Sequence, residues 1–310
     1  MDLRQLHAVI AIAEHGSFSA AADALATVQS NISTHVKNLE RELGTVLIDR
    51  ATGELTEAGE IVLARARRVV GELDALSSDV TAMSHEVTGT VRFGAIGTTA
   101  RWLVPQLLDL APLRHPHLHL VFVEATTLGL DAQLASGLVD LGVLALPASG
   151  TEVRTIPLFE EDLGLCVPKD HELAQRSFVS LATLAELPLI LPIPGSAFRD
   201  DFDAVAKTHG VTIQPVAEAD SVRLISSLTF EHCGLSILPA GVLPGYLQED
   251  WVIVPVEGLP PREVGVAQRR RGLPGASVRA VLDIVSEIIF DPRRIPQGVR
   301  PLPPDVLRAE

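Results

Sequence analysis

The chain of 310 residues predicts three parts: a mainly α N-terminal module closed by a small β wing, one long helix, and an α/β C-terminal half. Three observations predict this. Apolar residues recur every three or four positions through the first 43 residues. A heptad pattern of apolar positions then runs from residue 62 to 87. Beyond residue 89, short apolar strands alternate with helical stretches, as in a parallel sheet covered by helices.

Leu3, Leu6, Val9, Ile10 and Ala13 place a first helix up to about residue 14, and Gly16-Ser17 ends it. Ser19 is the expected N-cap of a short second helix through residue 25, with Phe18 stapling its entry. A third helix runs from about Gln29 to just before Gly44. Ile32, Val36, Leu39 and Leu43 share one side of it, while Ser30, Asn31, Thr34, Lys37, Asn38 and Arg41 share the other. Small polar groups and cations on one face suit a helix that reads base edges in a DNA major groove. A solvated face of an ordinary amphipathic helix would show the same periodicity. Residues 46–48 and 54–56 flank Thr52-Gly53 as a small hairpin.

Charge opposes DNA binding at first sight, because phosphate neutralisation carries non-specific affinity. The whole chain is −14. Residues 1–57 hold four bases (Arg4, Lys37, Arg41, Arg50) against eight acids, a net of −4. DNA binding must therefore rest on where the few cations sit.

Residues 57–87 continue as a long helix. Val62, Ala66, Val69, Leu73, Leu76, Val80, Met83 and Val87 form an a/d seam that wants a partner helix, and Gly71 is its weak point. Packing of the seam on the chain's own C-terminal half is the alternative. From residue 89, strands are expected at 91–96, 118–124 and 141–145, with helices at 102–110 and 128–135. A second such region is expected from strands at 163–167, 189–191, 213–217, 235–238 and 252–255, followed by a last strand at 263–269 and a helix at 277–289. Residues 291–310 carry Pro292, Pro296, Pro301, Pro303 and Pro304 and read as a disordered or loosely docked tail.

The motifs Met1-Asp2-Leu3-Arg4-Gln5-Leu6, Gly16-Ser17-Phe18-Ser19-x-Ala21-Ala22, Gln29-Ser30-Asn31-Ile32-Ser33, Leu39-Glu40-x-Glu42-Leu43-Gly44, Leu47-x-Asp49-Arg50 and Leu55-Thr56-Glu57-Ala58-Gly59 follow in order. Over about 60 residues the chain resembles the LysR-type transcriptional regulators. The resemblance implies a winged helix-turn-helix at 1–58, a dimerisation helix at 59–88, and a periplasmic-binding-protein-like effector domain at 89–290. That domain's lobes would span 89–162 plus 264–290, and 163–263. It implies double-stranded DNA with a palindromic operator, a homodimer or homotetramer, and a small-molecule co-inducer as partners. Ser19, Gln29, Ser30, Asn31, Ser33, Thr34, Lys37 and Arg50 are the expected DNA contacts; Val62, Val69, Leu73, Leu76, Val80 and Met83 are the expected dimer seam. Two departures stand out. The wing is about two residues short and carries Glu54 where relatives carry Arg or Lys, and Val28 replaces the usual Ser or Thr N-cap. Weak wing–phosphate contact and a shallow salt dependence are expected.

Effector contacts are expected where strands meet helix starts, since open parallel sheets bind ligands outside their strands' carboxyl ends. Thr98, Thr99, Thr126, Ser196, Phe198, Arg199 and Ser221 stand at such junctions, and hydroxyls with free helix N–H groups favour an anion, a carboxylate for example. A plain N-cap is the alternative for each Ser or Thr. Arg223 is a further possible anion partner.

Other classes find little support. No Gly-rich phosphate loop, nucleophile elbow or triad spacing occurs, so an enzyme is not expected. An α/β solute-binding protein remains open on the C-terminal half alone. Cys166 and Cys233 lack metal or disulfide-framework spacing and read as reduced thiols; a redox switch would need an accessible, low-pKa thiol. His115, His117 and His119 only alternate, so no metal is expected. No apolar run reaches the roughly 18 residues of a membrane span, and no leader pattern is read at the N-terminus, so a cytoplasmic protein is expected.

Overall fold

A computed structural model describes residues 1–83 and 86–303. Residues 84 and 85 of the expected linker helix and 304–310 of the expected tail lie outside the described residues.

Helix α1 (Leu3–His15) starts on a reciprocal cap, Asp2 accepting from Gln5 N while the Gln5 side chain accepts from Asp2 N, and ends at left-handed Gly16. Helix α2 (Phe18–Ala24) is capped by Ser17, not Ser19: the Ser17 hydroxyl accepts from Ala20 N at 3.1 Å, and Ser19 already lies inside the helix. Helix α3 (Gln29–Leu43) ends at left-handed Gly44. Ala8, Val9 and Ile12 of α1, Ala21 and Ala22 of α2, and Ile32, Val36 and Leu39 of α3 close one core with Leu47, Ile48, Leu63 and Ala66. Leu43, expected on that apolar side, is 42 % exposed because the helix has passed the edge of the core. The expected hairpin reduces to a single bridge between Ile48 and Leu55. Its turn closes on the Asp49 carboxylate, which accepts from Ala51 N at 2.7 Å.

Helix α4 (Glu57–Ala82) uses its faces separately. Val62 and Ala66 belong to the N-terminal core. Another face docks on the chain's own first lobe: Arg68 donates to Ala135 O at 2.7 Å, Asp79 accepts from Ala276 N at 2.8 Å, and Ser78 accepts from Ser277 N at 3.1 Å. Asp79 and Ser78 thereby supply the cap that Gly275 cannot give the last long helix. The seam itself stays open, with Val69, Leu73, Leu76, Val80 and Met83 all exposed.

Lobe 1 runs β1 (Gly89–Ala95), α5 (Gly97–Arg114), β2 (Leu118–Glu124), α6 (Thr127–Ser136), β3 (Leu141–Ala145) and β4 (Val153–Glu161). Lobe 2 runs β5 (Leu163–Pro168), α7 (Leu181–Leu184), β6 (Ile190–Pro192), α8 (Ala197–Thr208), β7 (Ala217–Ala219), α9 (Val222–Phe230), β8 (Ser236–Pro239) and β9 (Trp251–Pro255). The chain then returns as β10 (Arg262–Arg269), α10 (Ala276–Phe290) and β11 (Val299–Pro301). Lobe 1 is a six-stranded sheet ordered β11-β4-β10-β3-β1-β2, parallel across β2, β1 and β3 and antiparallel beyond. In lobe 2, antiparallel β8-β5-β9 is continued by parallel β6-β7 through a Leu189–Leu235 bridge.

Four sequence expectations are corrected. Strand β4 escaped notice because Pro157 interrupts it; the ladder tolerates the missing N–H through a bulge at Val264/Gly265. Helix α5 begins five residues earlier than residue 102 and carries Pro105 and Pro112 within it. The strand expected at 213–217 forms at Ala217–Ala219. The tail, expected to be disordered or loosely docked, is held as far as residue 302: β11 pairs with β4, Val299 is 5 % exposed, Arg300 pairs with Asp162 at 2.7 Å, and Leu302 N donates to Leu158 O at 3.0 Å.

Candidate nucleic-acid interface and inter-lobe cleft

Gln29, Ser30, Asn31, Thr34 and Lys37 form an exposed strip along α3, with Ser33 half-buried at its edge and Ser19 exposed on α2. Val28 makes no side-chain cap, and Thr27 does not replace it; its hydroxyl instead accepts from the Asn31 amide at 3.0 Å. The first N–H groups of α3 are left without a side-chain acceptor, at the positive end of the helix dipole.

The acids that outnumber the bases are largely occupied. Asp2 caps α1, Asp49 closes the wing turn, and Glu14 pairs with Arg67. Glu40 accepts from Leu47 N at 3.0 Å and Ile48 N at 3.4 Å, and takes Arg50 at 3.1 Å. Its role in clipping the wing to α3 was invisible in sequence, where Glu40 was only one charge among eight. Arg50 is held from its other side by the Phe18 ring, 4.9 Å from its guanidinium carbon. It is half exposed, so one side still faces solvent.

The lobes meet over an open pocket of about 600 Å³ lined by Thr98, Arg101, Glu124, Arg223, Ser226 and Ser227 among others. Of the expected effector residues only Thr98 lines it. Thr98 is buried and accepts from Arg262 at 3.0 Å. Thr99 is fully buried at the start of α5, and its hydroxyl has no partner among the described residues. The other five behave differently. Thr126 and Ser196 cap α6 and α8, accepting from Gly129 N and Arg199 N. Ser221 sits at the α9 cap position without a side-chain bond. Phe198 packs into the lobe 2 core, stacked on Phe202 at 6.3 Å between ring centroids. Arg199 is 7 % exposed and fully engaged by Asp203, Glu218 and Pro192 O, so it is no free anion partner.

What the sequence reading missed are the bridges between lobes. Arg223 pairs with Glu124 at 2.7 Å, and Arg101 donates to the Tyr246 hydroxyl at 3.2 Å. At the crossover, Glu161 is completely buried, accepting from Gly241 N at 2.7 Å and pairing with Arg262 at 2.5 Å. Glu161 and Arg262 end β4 and begin β10, directly opposite in register. No sequence signal joins residues a hundred positions apart.

Cys166 is buried on β5, and burial pushes its thiol from the ordinary 9.0 up to about 12. Cys233 is exposed. Among the described residues no group of three or more His, Cys, Asp or Glu could hold a metal, and no helix is long and apolar enough to cross a membrane.

A helix-turn-helix with an open polar face, joined through a long helix to a two-lobed α/β domain, defines a DNA-binding regulator with a ligand-sensing domain. The chain belongs to the LysR family: the bacterial regulatory helix-turn-helix protein, lysR family, matches residues 3–60, and the LysR substrate binding domain matches residues 84–288. It is a LysR-type DNA-binding transcriptional regulator that responds to a small molecule, and its relatives are regulators rather than enzymes. It is 32 % identical over 92 % of its length to a probable hydrogen peroxide-inducible genes activator of Mycobacterium leprae, covering 93 % of that protein. With the DNA-binding transcriptional dual regulator OxyR of Escherichia coli it shares 29 % over 93 % of its length and 95 % of that chain. A full-length OxyR variant from Pseudomonas aeruginosa superposes with a TM-score of 0.75 at 25 % identity, covering 97 % of both chains.

Proposed function

We propose that α3 enters the major groove of a palindromic operator, with Gln29, Ser30, Asn31, Ser33 and Thr34 toward base edges. Lys37, Ser19, Arg50 and the uncapped first turn of α3 hold phosphates. The exposed, uncapped, polar start of α3 carries this reading. Two subunits pair through Val69, Leu73, Leu76, Val80 and Met83, while Val62 is taken by the N-terminal core, and dimers of dimers bind neighbouring sites. Such a protein acts in the cytoplasm, where its DNA is.

The effector is a small anion taken between the lobes at the start of α5. The start of α5, which has no side-chain cap and whose Gly97 and Thr98 line the pocket, supports this. Glu124 already occupies the approach, since a Cβ on Gly97 would stand 2.7 Å from its carboxylate oxygen. An incoming anion would compete with Glu124 for Arg223 and so alter how the lobes close.

The names of several relatives point instead to hydrogen peroxide as the signal. Against a thiol switch here stand the burial and raised thiol value of Cys166. Fluorescence anisotropy on upstream genomic fragments tests the DNA reading. Asn31→Ala should weaken binding by about 1–3 kcal/mol at one base pair, and Lys37→Ala should weaken all sequences alike and lower the salt slope by about 1. Sequence-independent loss in both variants would sink the assignment. A peroxide-induced bond between Cys166 and Cys233, seen by mass spectrometry, would reverse the choice of signal.

A further inference from the structure

Away from the inter-lobe pocket, and sharing no lining residue with it, a cavity of about 150 Å³ lies where α1, α4 and lobe 1 meet. Its walls include Glu14 of α1, Arg67 and Gly71 of α4, Arg92 of β1, and Gln268 and Arg269 of β10. The glycines explain how Arg269 reaches it. A Cβ on Gly71 would stand 3.6 Å from one Arg269 terminal nitrogen, and a Cβ on Gly137 would stand 3.7 Å from the other and 3.5 Å from Arg67 Cβ. The guanidinium is thus threaded between the linker helix and the end of α6, beside Arg67.

The polar groups here are donors short of acceptors. Gln268 is 6 % exposed; its oxygen takes Arg154, but its amide nitrogen is buried with no partner. Arg67 Nε is likewise buried and unpartnered, and its outer nitrogen reaches only Glu14 at 3.6 Å. Among the described residues the Arg92 and Arg269 guanidinia make no side-chain hydrogen bond or ion pair. Asp140, also on the wall, accepts from Arg92 N at 2.8 Å; burial pushes its carboxyl up from the ordinary value, against the pull of Arg92 and Arg269. Glu72 and Asp74 line the outer wall, where they are exposed and screened by water. Two buried donors without partners, Gln268 Nε2 and Arg67 Nε, with the half-buried Arg269 guanidinium and the exposed Arg92 beside them, are matched by an acceptor with several oxygens pointing in different directions.

We propose that this cavity binds a small tetrahedral oxyanion, of which inorganic phosphate is the simplest, and that its occupancy ties the DNA-binding domain, linker helix and lobe 1 into one unit. Its volume of about 150 Å³ restricts it to small anions. Calorimetric titration of the full chain with inorganic phosphate, against chloride at equal ionic strength, tests this. One site per chain and a midpoint of unfolding that rises with phosphate are expected. Arg269→Gln and, independently, Gln268→Leu should each weaken phosphate at least tenfold while circular dichroism stays native. Lys37→Ala, on the DNA face, should leave phosphate affinity unchanged. Absence of saturable binding at millimolar phosphate, wild-type affinity in both cavity variants, or loss of binding in Lys37→Ala would overturn the proposal. Acetate binding as tightly as phosphate would overturn its tetrahedral chemistry.

Discussion

At Gly59 a single added carbon would stand 2.1 Å from Leu47 O and 3.0 Å from Leu55 Cδ2. The first turn of α4 lies that close to the wing, so only glycine fits. Gly59→Ala is expected to destabilise the N-terminal domain by about 1–3 kcal/mol through overpacking, seen as a lower midpoint in denaturant. An unchanged midpoint would mean that the wing can retreat. The two thiols make a second residue-scale case. Native protein should yield one fast thiol with an aromatic disulfide reagent, Cys233, and two once unfolded. Because the folded Cys166 value of about 12 exceeds the unfolded one near 9.0, its share of stability is whole below pH 9 and lost as pH climbs from 9 toward 12. Two equally fast native thiols would contradict the burial.

At the scale of elements, α4 shows why a heptad pattern underdetermines packing. Its seam positions Leu73, Leu76 and Val80 are exposed while Ser78 and Asp79, off the seam, hold α10. The helix is therefore fixed to its own sensor on one side and free to meet another subunit on the other. Leu76→Glu should dissociate dimers in light scattering and leave the far-ultraviolet spectrum unchanged, since a leucine removed from an interface forfeits about 1.5–3 kcal/mol per side. Retention of the dimer would place the self-association surface elsewhere. The wing is the complementary case: a short turn with Glu54 has little charge to offer phosphate, and Arg50 is already shared between Glu40 and Phe18.

Over the whole molecule, the relation between lobes is governed by a buried ion pair at the crossover. Glu161 is wholly buried and answers both to Arg262 and to Gly241 N from lobe 2. Arg262→Ala would leave that carboxylate unpaired in the interior and is expected to cost about 3–5 kcal/mol. Adding Glu161→Gln should recover part of the loss, measured by chemical unfolding of the effector domain. Equal stability of wild type and Arg262→Ala would show that water reaches the crossover. The exposed Arg223–Glu124 bridge contrasts with it, being worth at most about 1 kcal/mol, weak enough for a ligand to exchange.

The sequence by itself determined the order of modules, the helix-turn-helix with its two-faced third helix, and the parallel β1, β2 and β3. These rest on local periodicity and caps, which a chain carries in its neighbouring residues. It also displayed the α3 strip as a candidate interface, because an exposed face is defined by one helix alone. Tertiary structure decided the rest. Strand β4 and the docked tail exist only because β10 and β4 offer them ladders, and Ser17 rather than Ser19 caps α2 because the backbone turns two residues earlier. Arg199 became a structural residue when folding brought Glu218 beside it, and Thr126 and Ser196 were spent on their own helix ends. Arg223 meets Glu124 only because two lobes come to rest together, and Arg262 meets Glu161 only because β10 pairs with β4. Each pair spans about a hundred residues, and no local pattern records it.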